Sequence, residues 1–274
     1  MSNYLTIDLE DWYQGLTHTS LLVDQWNRYE KRIRKGCDWL LETLDRNGIR
    51  ATFFVVGVVA EEHPQLIREI CLLGHEVGLH GYCHRLVENM GRKAFSQDLE
   101  RNAKVVADVI GVQPRGYRAP CFSVRENLGW FWEELAGAGI IYDSSIFPIR
   151  TPLYGDAGAR RTPYVVTTNQ GLVHEFPIST VRLMSVNLPF SGGFYFRALP
   201  YAIVRRITRR LNLAGEQVIF YFHPWEFDPD HPVPPATTLR ERVSHYGRLR
   251  TAREKFLSLL RDVSFQPLGQ GSSS

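Results

Sequence analysis

The sequence predicts an α/β fold in which helices surround a parallel β-sheet. Apolar, β-rich runs alternate with amphipathic stretches from residue 4 to residue 142, and this alternation is typical of parallel strands joined by helical crossovers. The pattern is interrupted after Asp143 and resumes near Leu199. About seven βα units in a chain of 274 residues predict a barrel, either complete or incomplete.

Composition excludes several classes of protein. Hydrophobic residues make up 44% and charged residues 22% of the chain, which excludes disorder, collagen and coiled coil as the overall class. The 32 Lys and Arg residues exceed the 29 Asp and Glu residues by only three, so we expect no nucleic-acid partner. The oligomeric state stays open.

The start of the chain and its apolar runs bear on location. The start has no basic region followed by an apolar stretch, so we expect no signal peptide. The longest apolar run, about residues 51–60, is too short for an integral membrane segment. The four cysteines form no CxxC pair and their spacing favours no disulfide. We therefore expect a cytoplasmic protein.

Turn and capping residues delimit the elements of the first half. The first helix ends at Asn47-Gly48, Pro64 begins the next, and Ser96 caps a third. The predicted strands are Tyr4–Leu9, Ala51–Gly57, Glu76–His80, Arg115–Arg118 and Ile140–Tyr142. The predicted helices are Leu21–Arg46, Pro64–Leu73, Ser96–Ile110 and Arg125–Ala138.

The second half begins with a segment rich in Pro, Gly, Thr and aromatic residues. We interpret this segment, residues 144–200, as a loop and strand insertion rather than a second domain. Residues 199–268 form a C-terminal extension that completes the barrel, so that 1–268 make one domain, and 269–274 are expected to be a disordered tail. The predicted elements are strands Tyr164–Thr167, Val173–Ile178, Gln217–Phe222 and Ser264–Leu268 and helices Leu199–Asn212 and Arg248–Asp262.

Several predicted strands end in polar side chains that suit catalysis. The carboxyl ends of parallel strands share one face of a barrel, so we expect these side chains to cluster there. They are Asp8, Glu10, Asp11, His80, His84, Arg118, Asp143 and His223.

The segment HEVGLHGYCH carries the sharpest signal. His80 and His84 lie four residues apart, and if a helical turn follows the strand, the second imidazole returns to the side of the first. Two imidazoles and one carboxylate from Asp8-Leu9-Glu10-Asp11 would bind a divalent metal and leave positions open for water and substrate. Two unrelated surface histidines and a solvated acidic loop are the alternatives.

Three further strand ends admit a catalytic and a structural interpretation. Arg118, before Ala119-Pro120, can pair with a carboxylate and fix its rotamer, or form a surface salt bridge. Asp143 can orient His223 or, because two serines follow it, form a turn or an N-cap. His223 follows an aromatic strand; it can act as a general acid near neutral pH or be a hydrogen-bonded core histidine.

Together these motifs resemble the polysaccharide deacetylases of carbohydrate esterase family 4, the chitooligosaccharide-deacetylase homology group. The similar segments are TIDLEDW, HEVGLHGYCH, GYRAP, YDSSIFP and FYFHPWE. SGGFYFRALPY and HYGRLRTAREKFLSLL resemble the C-terminal extension of the exopolysaccharide-biosynthesis branch. The resemblance implies a distorted (β/α)7 barrel, similar to a TIM barrel, and a divalent metal: zinc, or else cobalt or nickel. It also implies hydrolysis of an N-acetyl group on an amino sugar.

The resemblance further implies roles for individual residues. His80 and His84 are metal ligands, one acidic residue of the first motif is the third ligand, and another is the catalytic base. Arg118 steadies the base, His223 is the general acid, and Asp143 is the candidate partner of His223.

The first motif departs from the family's two adjacent aspartates. Asp8 is the base with Asp11 as ligand, or Asp8 is the base with Glu10 as ligand, or Glu10 and Asp11 replace the adjacent pair. Strand alternation favours Glu10, because residues i and i+2 point the same way. We nevertheless expect Asp8 as base and Asp11 as ligand, with Glu10 as the main alternative for either role.

The sequence thus predicts a metal-dependent N-deacetylase that acts on an N-acetylated oligo- or polysaccharide or its lipid-linked precursor. It would work in the cytoplasm or at the membrane surface. A hydrolase of a non-sugar amide or cyclic imide, and an inactive carbohydrate-binding protein, are the alternatives. His80, His84, Arg118 and His223 argue against the inactive protein.

Overall fold

Parallel pairing of strands builds the sheet that carries the predicted site. The computed structural model describes residues 2–16, 23–151 and 154–273. Its strands are β1 (Asn3–Leu9), β2 (Thr52–Val55), β3 (Glu76–Leu79), β4 (Gly116–Tyr117), β5 (Tyr142–Asp143), β6 (Tyr164–Thr168), β7 (Gly171–Glu175), β8 (Thr180–Leu183), β9 (Val186–Pro189), β10 (Ile219–Phe222) and β11 (Phe265–Gln266). In the main sheet the order is β10-β1-β2-β3-β4-β5-β7-β6, and β11 pairs with β1. All neighbours from β10 to β7 are parallel, and β6 pairs antiparallel at the edge.

Helices connect the strands and cover the sheet. They are α1 (Ile33–Arg46), α2 (Gly57–Glu62), α3 (Pro64–Leu72), α4 (Arg92–Ile110), α5 (Gly129–Gly137), α6 (Gly193–Ala198), α7 (Tyr201–Leu213), α8 (Leu239–Ser244) and α9 (Ala252–Asp262). β1, β2 and β10 are buried along their whole length, as expected for strands covered on both faces. Within the described ranges, no helix has the length and apolar character needed to cross a bilayer.

The first predicted helix, Leu21–Arg46, is divided in the structure. Its first two residues lie outside the described ranges; a 3-10 turn covers Val23–Arg28 and α1 begins at Ile33. The Asp11 carboxylate accepts the backbone N–H groups of Arg32 and Ile33, which satisfies donors at the helix start and fixes where α1 begins. Gly36 then lets α1 approach the backbone of Pro224, where a Cβ would clash with the carbonyl oxygen.

Residues 144–200 contribute to the main sheet as well as forming a separate hairpin. β7 pairs parallel with β5 and so extends by one strand the run of parallel neighbours that begins at β10. β8 and β9 form an isolated antiparallel pair. Beyond β10, Gly192 forms a parallel bridge with Tyr221. The predicted insertion therefore supplies one strand that the (β/α)7 arrangement requires.

The C-terminal tail differs from the expected disorder. Leu268–Ser273 forms a 3-10 turn, while Ser274 lies outside the described ranges. The N–H of Leu268 donates to Thr52 Oγ1 at 2.7 Å and that of Gly269 to Glu76 Oε2 at 2.9 Å. These polar side chains at the starts of β2 and β3 hold the beginning of the tail against the sheet.

Candidate active site

Three buried side chains at the strand ends form a group that could hold a metal ion. Glu10 follows β1, and His80 and His84 follow β3. One ligand atom from each residue lies within 4.8 Å of the others. The closest pair is His84 Nε2 and Glu10 Oε2, which are 2.6 Å apart. Two imidazoles and one carboxylate are a ligand set that leaves coordination positions open.

The chemistry of these donors fits a divalent metal. His80 Nδ1 lies 2.8 Å from the Arg118 carbonyl oxygen, so Nδ1 carries the proton and Nε2 keeps its lone pair, as in many metal-bound histidines. Burial lowers the pKa of His80 to about 4, which keeps the imidazole neutral, as ligation requires. His84 Nδ1 is buried without a hydrogen-bond partner among the described residues.

A left-handed turn, rather than the helical turn expected from the sequence, brings the two histidines together. Gly81 has φ +69° and His84 has φ 51°, and no helix covers residues 80–84. The ring centroids of His80 and His84 lie 5.1 Å apart. A non-glycine residue with positive φ is uncommon and is often found at functional sites.

Asp8 lies beside this group and is held by a buried arginine. Arg118 Nη1 donates to Asp8 Oδ1 at 2.7 Å and to Thr6 Oγ1 at 2.8 Å. Arg118 also donates to the carbonyl and hydroxyl oxygens of Ser144 and has no exposed surface. These contacts fix the guanidinium and, through it, the rotamer of Asp8.

His223 faces the two acidic side chains from β10. Its Nε2 lies 3.5 Å from Glu10 Oε1 and 3.9 Å from Asp8 Oδ2. Burial lowers the pKa of His223, but the carboxylates of Glu10, Glu226 and Asp8 outweigh burial and raise it to about 9. For the Glu10 carboxyl, burial acts in the opposite direction and raises the pKa. The neighbouring His84 and His223 outweigh burial and hold the pKa of Glu10 below its ordinary value.

The structure does not bring Asp11, the expected third ligand, into the group. Its carboxylate accepts backbone N–H groups from Trp12, Arg32 and Ile33 at 2.8, 2.8 and 3.1 Å. Burial raises the pKa of Asp11 to about 6, while these hydrogen bonds oppose the rise. The carboxylate that joins His80 and His84 belongs to Glu10, the alternative favoured by strand alternation.

Asp143, the expected partner of His223, is turned elsewhere. Its carboxylate accepts the N–H and the hydroxyl of Ser145 at 2.9 and 2.7 Å, and it lies beside Glu175 and Arg118. The partner of His223 is Glu226, whose Oε1 lies 2.9 Å from Nδ1. Glu226 Oε2 in turn accepts a hydrogen bond from Arg197 at 2.6 Å.

Sequence reasoning assigned no role to Glu226 and Arg197. The signal for Glu226 was local: a glutamate three residues after His223 in HPWE can fold back onto the histidine at a capping turn. Arg197 is 29 residues from Glu226, and no local pattern connects them.

Trp225 and His245 complete one side of the site. The Trp225 indole donates to Glu10 Oε1 at 3.0 Å, and its ring stacks on His223 with centroids 4.8 Å apart. His245 stacks on Trp225, with centroids 3.8 Å apart, and its Nε2 lies 3.1 Å from that of His231.

A pocket of about 700 Å³ opens over the group. This volume is typical of small-molecule sites. It is lined by Tyr154, Tyr195 and α8 and by the side chains of Asp8, Glu10, His80, His84 and His223. An acidic side chain, a metal-binding group and a cationic histidine in one pocket can support hydrolysis of a carbonyl compound.

Two family models match parts of the chain. Residues 21–138 match the model described as polysaccharide deacetylase, and residues 144–271 match a domain of unknown function, DUF3473. The predicted similarity to polysaccharide deacetylases is confirmed over residues 21–138, whereas the exopolysaccharide-biosynthesis branch stays a prediction.

Curated relatives are similar over part of their length. A peptidoglycan deacetylase-like protein of Gibberella zeae is 30% identical over 123 residues, which are 44% of this chain and 36% of the relative. A peptidoglycan-N-acetylglucosamine deacetylase of Bacillus cereus is 27% identical over 96 residues, 35% of either chain. Chitin deacetylase 1 of Cryptococcus neoformans var. grubii is 28% identical over 105 residues, 38% of this chain and 22% of the relative. The chain spans about a third of the first two relatives.

Solved structures share the fold along nearly the whole chain. A Mycobacterium smegmatis protein assigned as a polysaccharide deacetylase has a TM-score of 0.64 at 22% identity and covers 98% of this chain and 88% of its own. One from Pseudomonas aeruginosa PAO1, assigned likewise, has a TM-score of 0.61 at 17% identity and covers 99% and 89%. The predicted fold class is thereby confirmed.

Proposed function

We propose that this chain, which carries a polysaccharide deacetylase domain, removes acetyl groups from N-acetylated amino sugars of an oligo- or polysaccharide or its lipid-linked precursor. One observation carries the proposal: Glu10, His80 and His84 form a buried metal-binding group with Asp8 and His223 beside it, all in one pocket. Metal-assisted hydrolysis of an amide needs a cation site, a base and an acid in such proximity.

Glu10, His80 and His84 are the proposed ligands. A divalent metal bound there, zinc or else cobalt or nickel, supplies Lewis acidity that polarises the amide carbonyl and acidifies a water molecule. The Trp225 indole and the Arg118 carbonyl hold Glu10 and His80 in orientation.

Asp8 is the proposed base. Its carboxylate takes a proton from the attacking water while that water adds to the amide carbon. Arg118 holds Asp8 at 2.7 Å and so keeps the accepting oxygen in place. Arg118 is therefore a positioning residue.

His223 is the proposed general acid. Its raised pKa keeps the imidazole protonated at neutral pH, and Nε2 donates the proton to the leaving nitrogen as acetate departs. Glu226 holds Nδ1 and is therefore the proposed positioning partner, in place of Asp143.

The test combines metal content with acetate release. We expect near one equivalent of a divalent metal in protein purified without added metal, acetate release from N-acetylglucosamine oligomers, and loss of both in His80→Ala. His174→Ala, a histidine of β7 outside the pocket lining, is the matched control and should keep both.

The remaining outcomes assign the alternatives. Metal without acetate release from any oligosaccharide would favour a different amide or cyclic imide substrate. Absence of both, even after zinc or cobalt is added, would favour a carbohydrate-binding protein and overturn the proposal. The expected cytoplasmic or membrane-surface location stays a prediction, which cell fractionation tests.

A further inference from the structure

Arg240 is an unpaired cation in the lining of the active-site pocket. It lies on α8, is exposed, and shares the pocket with Glu10, His80 and His84. Within the residues that the structure describes, no carboxylate forms an ion pair or hydrogen bond with its guanidinium.

Two other charged side chains of the lining, Asp8 and Arg197, already have partners of opposite charge. Arg118 pairs with Asp8 at 2.7 Å, and Arg197 pairs with Glu226 at 2.6 Å. Among the described lining residues, Arg240 is thus the arginine whose charge is left for a ligand.

Contacts with the catalytic group hold α8 in place. The Ser244 carbonyl, at the end of α8, accepts a hydrogen bond from Arg197 at 2.8 Å. His245 follows directly and stacks on Trp225, whose indole donates to Glu10. The backbone that carries Arg240 is therefore fixed relative to the metal-binding group, and a fixed backbone lowers the entropic cost of binding.

Tyr154 and Tyr195 add hydroxyl groups to the same pocket lining as Arg240. Their hydroxyl oxygens lie 3.2 Å apart, and both residues line the pocket. Burial raises the pKa of Tyr154, and the nearby positive charge of Arg240 opposes that rise. Guanidinium and hydroxyl donors together suit an oxygen-rich, negatively charged group.

We propose that Arg240 forms a subsite for an anionic group attached near the N-acetylated amino sugar, a uronate carboxylate or a phosphate. The inference rests on the proposed function and specifies its substrate class as an acidic saccharide. A guanidinium binds either group through two parallel hydrogen bonds.

Binding measurements test the subsite without requiring turnover. The probes are a hyaluronan tetrasaccharide, which alternates N-acetylglucosamine with glucuronate, UDP-N-acetylglucosamine, which carries phosphates, and neutral chitotetraose. Titration calorimetry on the purified protein should show that Arg240→Gln weakens binding of one acidic probe about 10- to 100-fold, as expected for a lost charge-assisted contact. Binding of chitotetraose should change less than about twofold.

Arg242→Gln is the matched control. Arg242 is exposed on the same helix but does not line the pocket, so this variant should leave all three affinities unchanged. Arg240→Lys should retain part of the affinity for the acidic probe. If Arg240→Gln weakens binding of the hyaluronan tetrasaccharide, the subsite binds a carboxylate. If it weakens binding of UDP-N-acetylglucosamine, the subsite binds a phosphate.

Two outcomes would overturn the inference: equal affinity of wild type and Arg240→Gln for both acidic probes, or tighter binding of chitotetraose than of either. Failure of the proposed function looks different. In that case an acidic probe binds through Arg240, but acetate is released from none of the oligosaccharides.

Discussion

His223 and Glu226 are joined twice: Glu226 Oε1 lies 2.9 Å from His223 Nδ1 and accepts the His223 backbone N–H at 3.0 Å. Arg197 donates to the other carboxylate oxygen at 2.6 Å. Glu226 therefore has its charge balanced from one side while it fixes the ring of His223 from the other. The Nε2 atom is left turned toward Asp8 and Glu10.

Glu226→Gln should shift the pH dependence of deacetylation. The Glu226 charge helps to raise the pKa of His223 to about 9, and a general acid must be protonated, so activity is lost as pH rises through that pKa. Without the charge the pKa falls, and the alkaline limb of kcat against pH should move to lower pH, with kcat reduced about 10- to 100-fold.

Glu254→Gln is the control for this shift. Glu254 is exposed on α9, and its replacement should leave the pH profile in place. An alkaline limb at the wild-type position in Glu226→Gln would show that Glu226 does not act on His223.

Asp8→Asn should abolish most activity while the metal stays bound. Removing a general base costs about 10²- to 10⁴-fold in rate, and Asp8 is absent from the buried Glu10–His80–His84 group. Acetate release and metal content, measured on the same preparation, check the loss of activity and the retention of the metal. Loss of the metal in Asp8→Asn would instead make Asp8 a ligand.

Glu10→Gln and Asp11→Asn should have opposite effects. Glu10→Gln removes the ligand charge, so metal content should fall while the fold persists. Asp11→Asn leaves N–H groups near the start of α1 short of an acceptor, which costs about 1–3 kcal/mol of unfolding free energy, but should retain the metal. Metal analysis and urea unfolding of both variants check this, and the reverse pattern would restore Asp11 as the ligand.

Glu175→Gln should become more stable relative to wild type as pH rises from about 4.5 to 7. Burial and the neighbouring Asp143 raise the pKa of Glu175 well above its ordinary value. The contribution of Glu175 to the free energy of unfolding is therefore at its full value below the pKa of this group in the unfolded chain. It declines as pH rises toward the pKa of Glu175 in the folded protein, by up to about 1.4 kcal/mol per pH unit. Glutamine has no such dependence.

Urea unfolding at pH 5 and pH 7 measures the effect. Glu100→Gln replaces an exposed glutamate of α4 and is the control. Its free energy of unfolding should differ from that of wild type by the same amount at pH 5 and at pH 7. The same result for Glu175→Gln would contradict a protonated, buried Glu175.

The sequence predicts where the candidate site lies because strand ends follow a simple rule. Asp8, His80, Arg118 and His223 each come at or just after the end of a parallel strand, and parallel strands deliver such residues to one face. The choice between Glu10 and Asp11 was harder. Strand alternation favoured Glu10 as the ligand. The Asp11 carboxylate instead accepts hydrogen bonds from the backbone N–H groups of Arg32 and Ile33, which are more than 20 residues away in the sequence.

The partner of His223 shows the opposite situation. Asp143 was expected because of the family resemblance, whereas Glu226 lies three residues from His223 and is the acid that the local turn presents. The Arg197 contact with Glu226 depends on how α6 packs near β10, which no sequence period encodes. The local contact between His223 and Glu226 could thus have been predicted from the sequence, whereas the long-range contact between Arg197 and Glu226 could not.

The position of β1 has a consequence for biosynthesis. β1 lies between β2 and β10, and β11 also pairs with it, so this strand must wait for partners that are made much later in the chain. Glu10, His80 and His84 all precede α4 in the chain, but the Trp225 indole that holds Glu10 follows 215 residues after it. Such distant pairing slows folding, and the nascent chain must therefore keep an apolar strand and a cation-binding cluster incomplete until β10 and β11 have been made.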